Sequence, residues 1–131
     1  MHRIYLVSPY THVKSFSPHY SLEYIRFFLM DHGYDAEIID CSHYNSGLEG
    51  VIAKLNEGEK PVIGITAYTK ERFAAYDLIR KIRNDIPDSL IVVGGRHFTY
   101  LADEALKNLP EIDIVVRGEG EIAFKEICDS V

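Results

Sequence analysis

Short, unbroken apolar runs alternate along this chain with longer stretches in which apolar residues recur every three or four positions. Ile4-Tyr5-Leu6-Val7 is continuously apolar, the pattern of a strand covered on both faces. Ser17-Pro18 reads as an N-cap followed by proline in the first helical position, and Leu22, Ile25, Phe28 and Leu29 supply the helix face before Gly33 stops it. Residues 36–40 form a second, more polar strand, suited to an edge. Ser46-Gly47-Leu48-Glu49 fits a capping box, with Leu48, Val51, Ile52 and Leu55 as the apolar face and Gly58 beyond the end.

The alternation continues to the last residue. Residues 61–66 are a third strand, and Thr69 is placed to cap a long helix with Phe73, Tyr76, Ile79, Ile82 and Ile86 inside. Pro87 closes it and residues 90–93 follow as strand four. Thr99 is placed to cap a helix carrying Leu101, Ala105, Leu106 and Leu109, which Pro110 stops. Residues 112–116 are strand five, and a last helix begins near Gly120 or Glu121. Five such units predict an α/β fold: a flavodoxin-like three-layer αβα sandwich over residues 1–131. Its five-stranded parallel sheet should have the order 2-1-3-4-5, with the ligand crevice beyond the carboxyl ends of strands one, three, four and five.

The two rims of this sheet differ in chemistry. The turns that follow helices, such as Gly58-Glu59-Lys60 and Pro87-Asp88, are short punctuation. The loops that follow strands collect hydroxyls, imidazoles, guanidinium groups and glycines: residues 8–17, Thr66-Ala67-Tyr68-Thr69, residues 94–99 and Arg117-Gly118-Glu119-Gly120. A ligand site belongs on that second rim.

Composition narrows the ligand. A length of 131 residues suits one domain, and a formal charge of −6 without a Lys/Arg run excludes nucleic acid and membrane surfaces as expected partners. No apolar stretch has the length of a spanning helix or a signal peptide. Cys41 and Cys128 stand in no metal-type spacing, so a cytoplasmic, reduced setting is expected. Neither a G-x-G-x-x-G nor a Walker loop follows the first strand, which argues against dinucleotides and nucleoside triphosphates. The loop after strand one also lacks the glycine an FMN phosphate would need. Strands one and three end in Ser8 and Thr66 rather than acids, which argues against a phosphoacceptor.

Residues 62–121 contain Val62-Ile63-Gly64-Ile65-Thr66-Ala67-Tyr68, then Val92-Val93-Gly94-Gly95-Arg96-His97-Phe98-Thr99, then Asp113-Ile114-Val115-Val116-Arg117-Gly118-Glu119-Gly120-Glu121. This text resembles the amino-terminal cobalamin (vitamin B12)-binding domain of cobalamin-dependent radical S-adenosylmethionine enzymes. The resemblance implies cobalamin as cofactor. It also implies that this chain is part of a longer protein whose downstream domain holds the [4Fe–4S] cluster and S-adenosylmethionine, with methyl transfer as the reaction class. Two cysteines cannot ligate such a cluster. In the family motif D-x-H-x-x-G, Tyr10 replaces the Asp, His12 keeps the His and Ser15 replaces the Gly. The implied site therefore lacks histidine as lower cobalt ligand, because the carboxylate that orients the imidazole is gone. Thr66-x-Tyr68 stands where the family has S-x-L, with the Thr66 hydroxyl placed for the nucleotide tail. Gly64 makes room either for that tail or for a neighbouring helix. Gly94-Gly95 matches the family glycine pair, which leaves a bulky planar ligand somewhere to lie, or serves a tight turn. Arg96, His97, Arg117, Gly118 and Glu119 are the candidates for propionamide and phosphate groups. The alternative is a degenerate domain that keeps the fold, binds no cofactor and docks on the catalytic domain.

Overall fold

Three strands of continuous apolar sequence can only be satisfied in the middle of a sheet. In the computed structural model, which describes residues 2–11, 19–44 and 47–131, the strands run in parallel in the order β2-β1-β3-β4-β5. β1 (Ile4–Ser8) is buried along its whole length, and β3 (Val62–Thr66) and β4 (Leu90–Gly94) lie beside it. The more polar β2 (Ala36–Asp40) takes one edge, as its composition requires. The expected five-stranded order is the observed one.

Alternate side chains leave each strand on opposite faces. Tyr5, Val7, Ile63, Ile65, Ile91 and Val93 pack against α2 (Gly47–Leu55), α3 (Arg72–Asp85) and α5 (Ala102–Asn108). Ile4, Leu6, Val62 and Val92 pack against α1 (Tyr20–Asp31) and α6 (Glu121–Ser130). Cys41 belongs to the first of these cores and Cys128 to the second, so the sheet separates the two free thiols. Burial raises the pKa of both, Cys41 to about 12 and Cys128 to about 11, which leaves them as unreactive thiols.

Helix ends follow local chemistry. Gly33, at φ +87°, ends α1: its N–H bonds the Met30 carbonyl at 3.1 Å and the Tyr34 N–H bonds Leu29 at 2.9 Å. Only a residue that tolerates positive φ closes a helix with this pair of bonds. The expected caps at Ser17-Pro18 and Ser46 lie outside the described residues. Among the described residues no helix is long and apolar enough to cross a membrane.

Several local expectations are corrected. Thr69 does not cap α3; it opens a turn of 3₁₀ helix, Thr69–Glu71, in which the Glu71 carboxylate accepts the Tyr68 N–H at 3.2 Å. Phe73 is exposed, stacked under the Arg72 guanidinium 4.4 Å from its ring centre, because the inner face of α3 is Ala75, Leu78, Ile79 and Ile82. Leu48 and Leu106 are also on outer faces. The helix expected from Thr99 breaks at Leu101 into α4 (Arg96–Tyr100) and α5, so Thr99 lies inside a helix rather than before one. Strand five shrinks to β5 (Ile114–Val115).

So short a strand needs other anchors. The Asp113 carboxylate accepts the Ile91 N–H at 2.8 Å and an Arg83 N–H at 2.6 Å. Arg83 also donates to the carbonyls of Pro87, Ser89 and Glu111. One guanidinium therefore joins the end of α3 to the start of β4 and β5. Charge-assisted bonds of this kind contribute more than neutral ones. Arg83→Ala is expected to lower unfolding stability by about 2 kcal/mol, read from the midpoint of urea denaturation.

Candidate functional site

On the α1/α6 face the register sets Leu6, Gly64 and Val92 side by side, and Thr66 beside Gly94. Two glycines and a threonine leave that end of the sheet shallow. A cavity of about 640 Å³ opens there, reaching from the carboxyl rim down between α1 and α6. Leu6, Val92, Val116 and Phe124 make its floor, Tyr20, Tyr24 and Ile25 one wall, and residues 118–121 the other. An apolar floor beneath a polar rim is the usual make-up of a site for a large organic ligand.

The structure brings together seven of the eleven residues expected at the site. Thr66, Tyr68, Gly94, Gly95, Arg96, Gly118 and Glu119 all line the cavity. Tyr10 is exposed at the same rim without lining it. Arg117 is turned outward, 3.1 Å from the Asp103 carboxylate. His12 lies outside the described residues. His97 departs from the expectation: it is 2 % exposed and points away from the cavity, with Nε2 on the Tyr76 hydroxyl and Nδ1 3.3 Å from Thr69 Oγ1. The α1 wall was not foreseen as part of the site. The exposed aromatic residues Tyr20 and Tyr24 were its one signal, since an inward-only helix has no use for them.

The rim loops are tied to one another. The His97 N–H donates to the Ala67 carbonyl at 3.2 Å, joining the loops after β4 and β3. The Gly118 N–H donates to Thr99 Oγ1 at 3.1 Å, joining the loops after β5 and β4.

A model of the B12 binding domain matches residues 10–128. The chain belongs to the B12-binding domain family. Cobalamin is the cofactor of that family. Among relatives, a protein named uncharacterized methyltransferase from Pyrococcus horikoshii is 32% identical over 98 residues, 75% of this chain and 21% of the relative. The anaerobic magnesium-protoporphyrin IX monomethyl ester cyclase of Rubrivivax gelatinosus is 31% identical over 109 residues, 82% of this chain and 20% of the relative. The chain thus spans about a fifth of the length of these curated relatives. Among solved structures, the radical S-adenosylmethionine methyltransferase TsrM from Kitasatospora setae shares the fold, with a TM-score of 0.81 at 20% identity over 100% of this chain and 26% of its own.

The glycines test whether this B12-binding domain suits its cofactor. A Cβ on Gly95 would lie 2.5 Å from Thr66 Oγ1 and 3.0 Å from the backbone of Ala67, and its φ is +93°. Gly95 is therefore required by the protein's own turn. A Cβ on Gly64 would lie 2.7 Å from the Phe124 ring and 3.1 Å from Leu6, so Gly64 admits the neighbouring helix α6. Gly94 is different. A Cβ there would make only ordinary contacts, 3.7 Å from the Val116 carbonyl oxygen and 3.9 Å from its Cβ, and would otherwise enter the cavity. Nothing in the packing demands glycine at 94. Its missing side chain enlarges the cavity, and a rim cleared in this way fits a bulky planar cofactor.

The two adjacent glycines should therefore separate on substitution. Gly95→Ala is expected to lose about 2 kcal/mol of stability through its left-handed backbone. Gly94→Ala should stay within about 0.5 kcal/mol of the parent. Parallel denaturant titrations compare them.

Burial, and then the positive charge of Arg72, hold the pKa of His97 below its ordinary 6.5. Below about that pH the unfolded chain binds a proton that the folded chain refuses. His97 therefore costs no stability above pH 6.5, and stability falls as the pH drops from there through the folded value. The lowered carboxyls of Asp85 and Asp129 act in a separate, more acid range. Urea midpoints are expected to decline from pH 7 to pH 5, and less steeply in His97→Gln.

Proposed function

We propose that this domain holds cobalamin over its carboxyl rim as the cofactor-carrying part of a longer radical S-adenosylmethionine enzyme. The observation that carries the reading is Gly94, which faces the cavity and whose lack of a side chain no protein neighbour requires. Gly94 and Gly95 leave clearance and expose backbone groups. The hydroxyl of Thr66 and the guanidinium of Arg96 border the cavity and suit the nucleotide tail and its phosphate. Glu119 offers carboxylate oxygens to propionamides, and Gly118, whose N–H is held by Thr99 Oγ1, leaves clearance beside it. Tyr68, exposed at the rim, offers an aromatic face. The apolar floor suits an uncharged aromatic base and excludes water from it.

When bound, cobalamin supplies the cobalt chemistry, methyl transfer included, and the domain supplies position. Binding without histidine as lower ligand belongs to the same reading, because Tyr10 stands where the carboxylate that orients the family's imidazole would be. The relatives' greater length supports a further domain in the same protein for S-adenosylmethionine and an iron–sulfur cluster. The two cysteines here, buried on opposite faces of the sheet, are unsuited to that cluster. A cytoplasmic setting belongs to the same reading. The docking-only alternative would be favoured by rim side chains filling the cavity. Phe98, the bulkiest candidate, is instead buried in the opposite core, and Tyr10 and Tyr68 stand exposed.

Titration with hydroxocobalamin should shift the cofactor's visible absorption bands with saturation. Gly94→Leu should weaken binding at least about tenfold, since one unrelieved overlap exceeds 1.4 kcal/mol, with the far-ultraviolet circular dichroism unchanged. Wild-type protein that leaves the spectrum unaltered at saturating cofactor would sink the reading.

A further inference from the structure

We propose that His97 is a positioning residue for the cobalamin site: it clasps the loop after β3 to the loop after β4 from behind, and so sets the spacing of the residues that border the cavity. This rests on the reading of the cavity as the cobalamin site.

The geometry runs as follows along the chain. Gly94, Gly95 and Arg96 border the cavity, and the next residue, His97, turns into the opposite core beside Phe98, their ring centres 5.1 Å apart. Its two ring nitrogens reach two different elements. Nε2 meets the Tyr76 hydroxyl on α3, and Nδ1 lies 3.3 Å from the hydroxyl of Thr69, the first residue of the 3₁₀ turn after Thr66-Ala67-Tyr68. Its backbone N–H adds the bond to Ala67. A neutral imidazole offers one donor and one acceptor, and both hydroxyls can serve in either sense. Both ring nitrogens are therefore satisfied in either tautomer. Among the described residues, no other side chain of the segment 94–99 makes a hydrogen bond to the loop after β3.

The clasp acts where tolerance is least. Gly95 sits so close to Thr66 and Ala67 that even a methyl group would collide. If the loops part there, Thr66 and Gly94, which face each other across the strands, lose their shared border with the cavity. Charge favours the neutral clasp. Arg72 and Tyr76 face the imidazole from α3, and Arg80 and Glu104 act on Tyr76 from behind it.

Amide hydrogen exchange on the cofactor-free protein tests the clasp without cobalamin. In His97→Leu, the amides of residues 71, 97 and 99, at present bonded to Tyr68, Ala67 and Gly95 carbonyls, should exchange about tenfold faster, as for the loss of one hydrogen bond. Amides in the middle of β3 and β4 should not change. His97→Gln, which keeps a donor and an acceptor, should restore slow exchange, and Tyr76→Phe should show part of the effect without altering residue 97. Hydroxocobalamin affinity should follow the same order, falling about tenfold in His97→Leu and recovering in His97→Gln. Unchanged exchange at those amides overturns the clasp; faster exchange with unchanged affinity overturns its role in positioning. Wild-type protein that takes up no cobalamin, with the exchange pattern as expected, removes the ligand reading and leaves the clasp standing.

Discussion

The carboxyl ends of β3 and β4 approach each other closely enough that a methyl group at residue 95 would strike both a side chain and the backbone of the neighbouring loop. Much of the site follows from that one contact. It forces a glycine with left-handed backbone at 95 and turns the chain sharply into α4. It also sends residues 94–96 to one face of the sheet and residues 97–98 to the other. A slightly wider gap would leave room for a side chain at residue 95, as there already is at 94.

The two faces of the sheet do different work. The α2/α3 face is a filled core in which two rim loops plant anchors, Phe98 and His97 from the loop after β4 and Ala67 from the loop after β3. The α1/α6 face is filled only along its lower part, where Phe124 occupies the space above Gly64. Above that level no side chain of α1 or α6 lies within 4 Å of where a Cβ on Gly94 would be, and the cavity opens there. The rigid face thus supports the loops from which the open face is built, the arrangement expected where a bound group must be held in place without closing the protein around it.

The order of elements and their neighbours were legible because they depend on local signals. The unbroken apolar runs of β1, β3 and β4 marked central parallel strands, and the mixed run at 36–40 marked an edge. Gly33 marked a helix end through its own backbone requirement. Misreadings came where a contact outside the local pattern competed with a local signal. Thr69 and Thr99 carry the right side chain for a helix cap, yet their hydroxyls are taken by His97 and by the Gly118 N–H. Phe73 has the right spacing for the core, but stacking on Arg72 keeps it at the first exposed turn of α3. In each case the deciding partner is distant along the chain or a different kind of contact from the one the periodicity describes.

By itself the sequence determined that this is a five-stranded parallel sheet with a chemically distinct carboxyl rim, and that glycines, a threonine and an arginine gather there. Those conclusions need only the period of the apolar residues and the conformational limits of glycine and proline. The tertiary structure alone decided which of two neighbouring glycines the fold requires and which it merely leaves open to the cavity, which way His97 points, and that α1 forms a wall of the cavity. These depend on distances between residues tens of positions apart, where a few tenths of an ångström separate a collision from open space, and no periodicity in one dimension carries that information.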